Sequence, residues 1–260
     1  MEHSFLEIEV APPVARLRLN RPEVRNALHI GMIRELNTTI RELERQQGIR
    51  ILQLSAAGPD FCSGADLHWM QEGMNQTGAV LRSESLELAG LFHSLATTRL
   101  IVITSVRGRA RGGALGLVAS SDVVVAEPDA GFAFSEVRLG LVPATIAPYV
   151  ILKTGIGRAK ELMVSGREFS GEMALRYGLV HHLSGSEGLE AATDDRVKEL
   201  LRNGPEAMSG VKSLLNRLGS HPDGEEIMEL TAELIARHRT SSEGQEGMRA
   251  FFEKRKPNWE

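Results

Sequence analysis

The 260-residue sequence predicts an α/β fold built from repeated β-β-α units and finished by a helical C-terminal region. Three observations carry this reading. An unbroken apolar, β-branched run over 100–106 reads as a strand buried on both faces, and 122–126 reads as another strand. Over residues 1–130 pairs of strands alternate with helices, although no internal repeat is close enough to prove a duplicated unit. Beyond the prolines at 143 and 148 helical spacing dominates.

Taken in order, residues 6–10 and 14–19 alternate with period two around Pro12-Pro13, the pattern of a hairpin with one buried face. The polar stretch 20–28 leads into a helix that Asn26 is expected to cap, with Met32, Ile33, Leu36, Ile40 and Leu43 at helical spacing. A short strand at 49–54 closes in a turn over 56–60. Residues 61–67 form a second small-residue turn, and 69–79, rich in Met, Gly and Gln, are expected to be a mobile loop before a helix over 80–96. The strand at 100–106 runs into Gly108, Gly112, Gly113 and Gly116, mixed with three arginines, and 114–121 is apolar enough for a core helix. Strands follow at 122–126 and 130–134, then a region from 136 broken by Pro143 and Pro148. Short helices are expected at 157–164 and 170–177, a brief strand at 179–181, and longer helices at 187–203, 205–218 and 224–239. A modest break near Pro205 is the one candidate boundary, giving a core over 1–200 and a helical region over 201–260.

Composition narrows the function. A net charge of −4 leaves no basic excess to neutralise nucleic-acid phosphates. A single cysteine, Cys62, allows no intrachain disulfide and suits a reducing compartment. No apolar run reaches membrane-spanning length, so a soluble, cytoplasmic protein is expected.

The chemistry concentrates at the glycine-rich turn. A helix starting near Gly112-Gly113 offers unpaired N–H groups, and the glycines let a ligand approach the backbone, which is the arrangement of an oxyanion site. The same glycines also suit a tight strand-to-helix turn with no ligand. Asp66 can orient the 63–66 turn or cap the next helix. Ser63, Ser120 and Ser121 have no histidine at a recognisable spacing, and the eight histidines show no metal-ligand pattern. No nucleotide fingerprint follows the first strand.

Two small-residue turns, Ser63-Gly64-Ala65-Asp66 and Arg111-Gly112-Gly113-Ala114, followed by Glu136, resemble the crotonase (enoyl-CoA hydratase/isomerase) superfamily. The resemblance spans the chain and includes Leu19-Asn20-Arg21-Pro22, Arg25-Asn26-Ala27-Leu28 and the C-terminal Phe251-Phe252-Glu253-Lys254-Arg255. More narrowly, the stretches 61–70, 135–149 and 242–247 resemble a bacterial methylglutaconyl-CoA hydratase branch.

That resemblance implies a spiral of β-β-α turns with a C-terminal helical region that drives assembly into a trimer or a dimer of trimers. It implies an acyl-CoA substrate whose thioester oxygen sits between the backbone N–H groups of Ala65 and Gly113. It places Arg25, Ala27, Ser63, Asp66, Leu67, Gly112, Phe251 and Lys254 along the substrate and its CoA, the last two reaching a neighbouring subunit. Glu136 matches one of the two glutamates that many hydratases of the family use. The other should stand where this chain has Gly116, so a single carboxylate is left for both proton steps. His68, Arg109 and Arg111 are candidate acyl-group contacts. Arginine suits a distal carboxylate on a glutaconyl-type chain, and equally suits surface ion pairs. The implied reaction is addition of water to a branched 2-enoyl-CoA, with 3-methylglutaconyl-CoA first among candidates. The alternatives are an enoyl-CoA isomerase using the lone glutamate, and a non-catalytic acyl-CoA-binding subunit. No metal or redox cofactor is implied, since CoA enters as part of the substrate.

Overall fold

The computed structural model describes residues 5–219 and 224–260. Its first strands, β1 (Leu6–Ala11) and β2 (Val14–Leu19), pair as an antiparallel hairpin. Leu6, Leu17 and Leu19 enter the core, while Glu7 faces Arg18 and Glu9 faces Arg16 across the solvent side. Helix α1 (Ile30–Arg45) buries the five apolar residues whose spacing predicts it, and β3 (Ile51–Ala56) then runs parallel to β2.

The chain continues through α2 (Leu67–Gly73) and α3 (Gly78–Thr97) to β4 (Ile101–Val106), parallel to β3. It then leaves this sheet for β5 (Arg109–Arg111), passes through the fully buried α4 (Ala114–Ala119), and returns as β6 (Val123–Ala126), parallel to β4. Strand β7 (Gly131–Ala133) pairs parallel with β5. Twice, therefore, a strand in the large sheet is followed by one in the small sheet, as the alternation of β-β-α units predicts and as the spiral implied by the resemblance requires. Helix α5 (Ala147–Ser165) leads to β8 (Glu168–Ser170), antiparallel to β7, then to α6 (Gly171–Arg176) and β9 (His182–Leu183), parallel to β6. The sheets have orders β1-β2-β3-β4-β6-β9 and β5-β7-β8.

Helix α7 (Leu189–Leu201) covers part of the large sheet's second face, where Val14, Ile51, Ile103 and Val125 meet Leu189 and Val197. The chain ends in α8 (Pro205–Leu218), α9 (Gly224–Thr240) and α10 (Ser242–Phe252). Lys212 of α8 is buried and locks this helix to the core, donating to the Leu95 and Leu100 carbonyls (3.0 and 2.9 Å) and to Asp122 (2.7 Å).

Four expectations need correction. Asn26 is not a helix cap: α1 starts later, with His29 Nδ1 accepting from the Gly31 amide. Asn26 is buried, accepts from the Arg21 amide (2.8 Å) and donates to the Ala57 and Asp60 carbonyls, so its polar group joins two turns. The expected loop at 69–79 is shortened to 74–77: α2 runs to Gly73, with Asp66 capping it by accepting from the His68 and Trp69 amides, and α3 starts at Gly78. Pro148 does not break a helix but occupies the first turn of α5, where its missing N–H costs nothing; the kink comes at Gly155. Helix α10 is absent from the sequence reading because Gly244 and Gly247 disfavour a helix locally. Tertiary packing demands them: a Cβ on Gly247 would sit 3.0 Å from the Trp259 ring, and one on Gly244 would strike the His238 carbonyl.

Candidate active site

Two segments far apart in sequence are laced together after β3 and β4. Phe61 and Cys62 donate to the Arg107 and Arg109 carbonyls (2.9 and 3.0 Å), and the Arg111 amide returns a bond to the Cys62 carbonyl (3.1 Å). At the crossing Gly64 has φ +94, and a Cβ there would lie 2.7 Å from the Arg111 oxygen. Only glycine fits such an approach in that conformation.

Next to it, the Leu28 amide bonds the Gly64 carbonyl (2.7 Å) and the Asp66 amide bonds the Leu28 carbonyl (2.9 Å). Leu28 and Ala65 thus form one rung of parallel bridge, with the Ala65 amide directed away from it. Gly112 donates to the Ala133 carbonyl (2.9 Å) at φ +52, and Gly113 follows at the head of α4. Among the described residues, neither the Ala65 nor the Gly113 amide has a protein acceptor.

Glu136 stands in a 3-10 turn, Ser135–Leu139, just after β7. Its carboxylate lies against Gly112, where a Cβ would be 3.4 Å from Oε1. Oε2 is buried without a hydrogen-bond partner among the described residues, and burial pushes the Glu136 pKa up. Gly116 lies in α4 beneath two apolar side chains. A Cβ there would be 2.5 Å from Phe92 Cε1 and 2.7 Å from Ile146 Cγ2, and both side chains are fully buried. Phe92 and Ile146 fill the volume that a glutamate at this position would enter.

The other candidates divide by location. Asp66, besides capping α2, pairs with Arg21 at 3.0 Å. Burial opposes its ionisation, but the bonds from Arg21 and from the His68 and Trp69 amides outweigh that and hold its pKa below the usual range. Ala27 is buried and its carbonyl accepts from Arg21 (2.6 Å). The Ser63 amide donates to the Arg25 carbonyl, while Leu67 is exposed at the start of α2. His68 faces solvent and pairs within its helix with Glu72 at 3.3 Å. Arg109 and Arg111 share one face of β5, and both are engaged by carboxylates of the chain: Arg109 by Asp60 (3.1 Å), Arg111 by Glu168 (2.5 Å). Arg25 approaches the same Asp60 at 3.7 Å. Phe251 and Lys254 stand exposed at the end of α10, which packs against α9.

Sequence reasoning missed Arg21, Asp60 and the Phe92–Ile146 filling. The charged pattern at 20–26 was visible, but the partners of Arg21 lie up to 45 residues away. Cys62 is buried, its thiol pushed up to about 12 by loss of hydration, so it stays protonated and inert. Among the described residues no group of His, Cys, Asp and Glu could hold a metal ion, and no helix is long and apolar enough to cross a membrane. A cavity of about 420 Å³ opens on the hairpin's solvent side among Glu7, Arg16, Arg18 and Gln53, where Arg18 pairs with Glu7 and Arg16 with Glu9.

Two unpaired amides beside an unpartnered carboxylate can stabilise charge on a carbonyl oxygen and move a proton at the adjacent carbon. Known proteins agree with that chemistry. The family model described as enoyl-CoA hydratase/isomerase matches residues 9–260. A crystal structure of an enoyl-CoA hydratase from Shewanella pealeana superposes with a TM-score of 0.95 at 38% identity, covering 98% of this chain and 96% of that one. A mevalonyl-coenzyme A hydratase of Aspergillus fumigatus is 30% identical over 95% of this chain and 92% of its own length. A trans-2-decenoyl-[acyl-carrier-protein] isomerase of Streptococcus mutans is 30% identical over 95% and 94%.

Proposed function

The chain belongs to the enoyl-CoA hydratase/isomerase family, and on that premise we propose that it adds water across the 2,3 double bond of a branched enoyl-CoA, with 3-methylglutaconyl-CoA as the leading candidate. The thioester oxygen accepts from the Ala65 and Gly113 amides. Attack at Cβ drives negative charge onto that oxygen, and fixed donors stabilise it without reorganising. In comparable acyl-transfer sites one donor contributes about 3–4 kcal/mol. Glu136 takes a proton from the attacking water and delivers a proton to Cα on the same face. A pKa raised by burial suits a group that must act as base and then as acid. CoA arrives with the substrate, and every proton step is assigned to a side chain, so the proposed reaction needs no metal or redox cofactor.

The observation that carries this reading is Glu136 itself, with Oε1 against Gly112, Oε2 buried and unpartnered among the described residues, and no room for a second carboxylate at Gly116. The same solitary carboxylate supports a second reading, a 1,3-proton shift, and one 30%-identical relative is named an isomerase. A purely acyl-CoA-binding role leaves the unpartnered Glu136 oxygen without a purpose. The branched, carboxylated substrate is supported by the resemblance of residues 61–70, 135–149 and 242–247 to the methylglutaconyl-CoA hydratase branch.

Assembly as a trimer, with Phe251 and Lys254 near a neighbouring site, is part of the proposal. Its support is the apolar surface of the C-terminal helices, where Met228, Ile235, Phe251 and Phe252 are each at least 60% exposed. An assay across linear, branched and carboxylated enoyl-CoAs, with light scattering on the same sample, tests both. Fastest hydration of the branched, carboxylated thioester by a trimer or hexamer is expected. Turnover of none of them, or full activity as a monomer, contradicts the proposal.

A further inference from the structure

We propose that Arg21 is a positioning residue that aims the Ala65 amide without touching substrate; this rests on the reading of Ala65 as a thioester-oxygen donor. The argument is geometric. Gly64 C=O and Ala65 N–H belong to one trans peptide plane and point in opposite directions. Pinning the Gly64 oxygen to the Leu28 amide at 2.7 Å therefore turns the Ala65 N–H away from Leu28. That bridge is a single rung with two hydrogen bonds, and no extended ladder holds its register.

Besides the Ser63 amide to Arg25 carbonyl bond (3.0 Å), Arg21 restrains the rung from outside. Its Nη1 donates to the carbonyl of Ala27, the residue before Leu28, at 2.6 Å. Its Nη2 donates to the carboxylate of Asp66, the residue after Ala65, at 3.0 Å. One planar guanidinium thus spans both arms of the bridge, which a single-point ammonium cannot do. The pair is largely shielded, with side-chain exposures of 16% and 13%. Both ends are themselves anchored. The Arg21 amide donates to Asn26 Oδ1, and the Asp66 carboxylate also accepts from the α2 amides. The guanidinium further sits 5.7 Å above the Phe5 ring.

The test uses butyryl-CoA labelled with ¹³C at its thioester carbonyl, a saturated thioester that binds without turning over. Infrared difference spectra of the bound label report hydrogen bonding to the oxygen. The wild-type protein is expected to lower the carbonyl stretch, and Glu136→Gln to keep that shift while losing turnover. Arg21→Met is expected to lose a clear part of the shift, with kcat on the best enoyl-CoA down roughly 10–100-fold and KM little changed. Arg21→Lys keeps the charge but only one of the two contacts, should fall between, and serves if the Met variant does not fold. A full shift in the folded Arg21 variants overturns the positioning role alone. No shift in the wild-type protein overturns the donor reading and the Arg21 role together.

Discussion

Two regions of this molecule bury ionisable groups, and they do so in opposite ways. At the junction of α8 with the core, Lys212 spends its three protons on the Leu95 carbonyl, the Leu100 carbonyl and Asp122, and Asp122 Oδ2 also accepts from the Val102 amide (2.7 Å). At the candidate site, Glu136 Oε2 is buried with no partner, beside two amides with no acceptor. A buried polar group without a partner destabilises the fold, whereas a saturated one holds it. The first region supports the structure, and the second is the one that the proposed function assigns to chemistry.

The largest effect is expected at the open region. Glu136→Gln keeps shape and removes the proton-transfer group, so turnover should fall roughly 10²–10⁴-fold with CoA affinity little changed. Its stability should rise, not fall. Burial raises the Glu136 pKa, so the folded state favours its protonated form. The stabilisation that protonation brings is complete below the ordinary carboxylate pKa and is lost as pH rises through the higher folded value. Urea unfolding should therefore show the variant gaining on wild type between about pH 4 and pH 7. A constant difference across that range would mean that Glu136 is not buried as an unpaired carboxylate.

The saturated region should behave in the opposite sense. Lys212→Met leaves Asp122 and two carbonyls without their partner and should cost about 3–5 kcal/mol in urea unfolding. A loss within about 1 kcal/mol would show that the junction contributes no more than a surface ion pair.

Smaller effects sharpen the boundary between the two regions. Gly116→Glu should lower the melting temperature, because overpacking against Phe92 and Ile146 costs about 1–3 kcal/mol or more. Adding Phe92→Ala should restore part of the loss, since it clears the space. If Gly116→Glu alone is fully stable, the one-carboxylate argument fails. The smallest effects are expected at β5. The Arg109 side chain is already paired with Asp60, its Nε donating to Oδ1 at 3.1 Å, so Arg109→Gln should change all enoyl-CoAs alike. Arg111 has a buried, unpartnered Nε, so Arg111→Gln is the variant expected to hurt a carboxylated enoyl-CoA selectively. Equal specificity constants for the carboxylated and plain substrates relative to wild type would remove Arg111 from acyl recognition.

The sequence was most legible where local chemistry and tertiary demand coincide. The buried β-branched strands, the α1 stripe and the glycines flanking Ala65 and Gly113 are required by pattern and by packing together. Glu136 was legible through its place after the glycine pair. What escaped was set by distant partners. Asn26 reads locally as a cap, yet Ala57 and Asp60 claim its carboxamide. Helix α10 went unpredicted, with glycines at 244 and 247 whose Cβ would strike the His238 carbonyl or lie 3.0 Å from the Trp259 ring. Gly116 announced a missing carboxylate, but only packing reveals that Phe92 and Ile146 occupy its place.

The central claim, one carboxylate serving both proton steps of hydration, is tested most directly by product analysis in isotopic water. The protein would turn over a branched enoyl-CoA in D₂O and, separately, in H₂¹⁸O, and the product would be examined by NMR and mass spectrometry. The account requires one ¹⁸O at Cβ and one deuteron at Cα, added to the same face of the double bond, with incorporation of both labels slowed together in Glu136→Gln. Addition to opposite faces, or a shifted double bond with no ¹⁸O at Cβ, would contradict it.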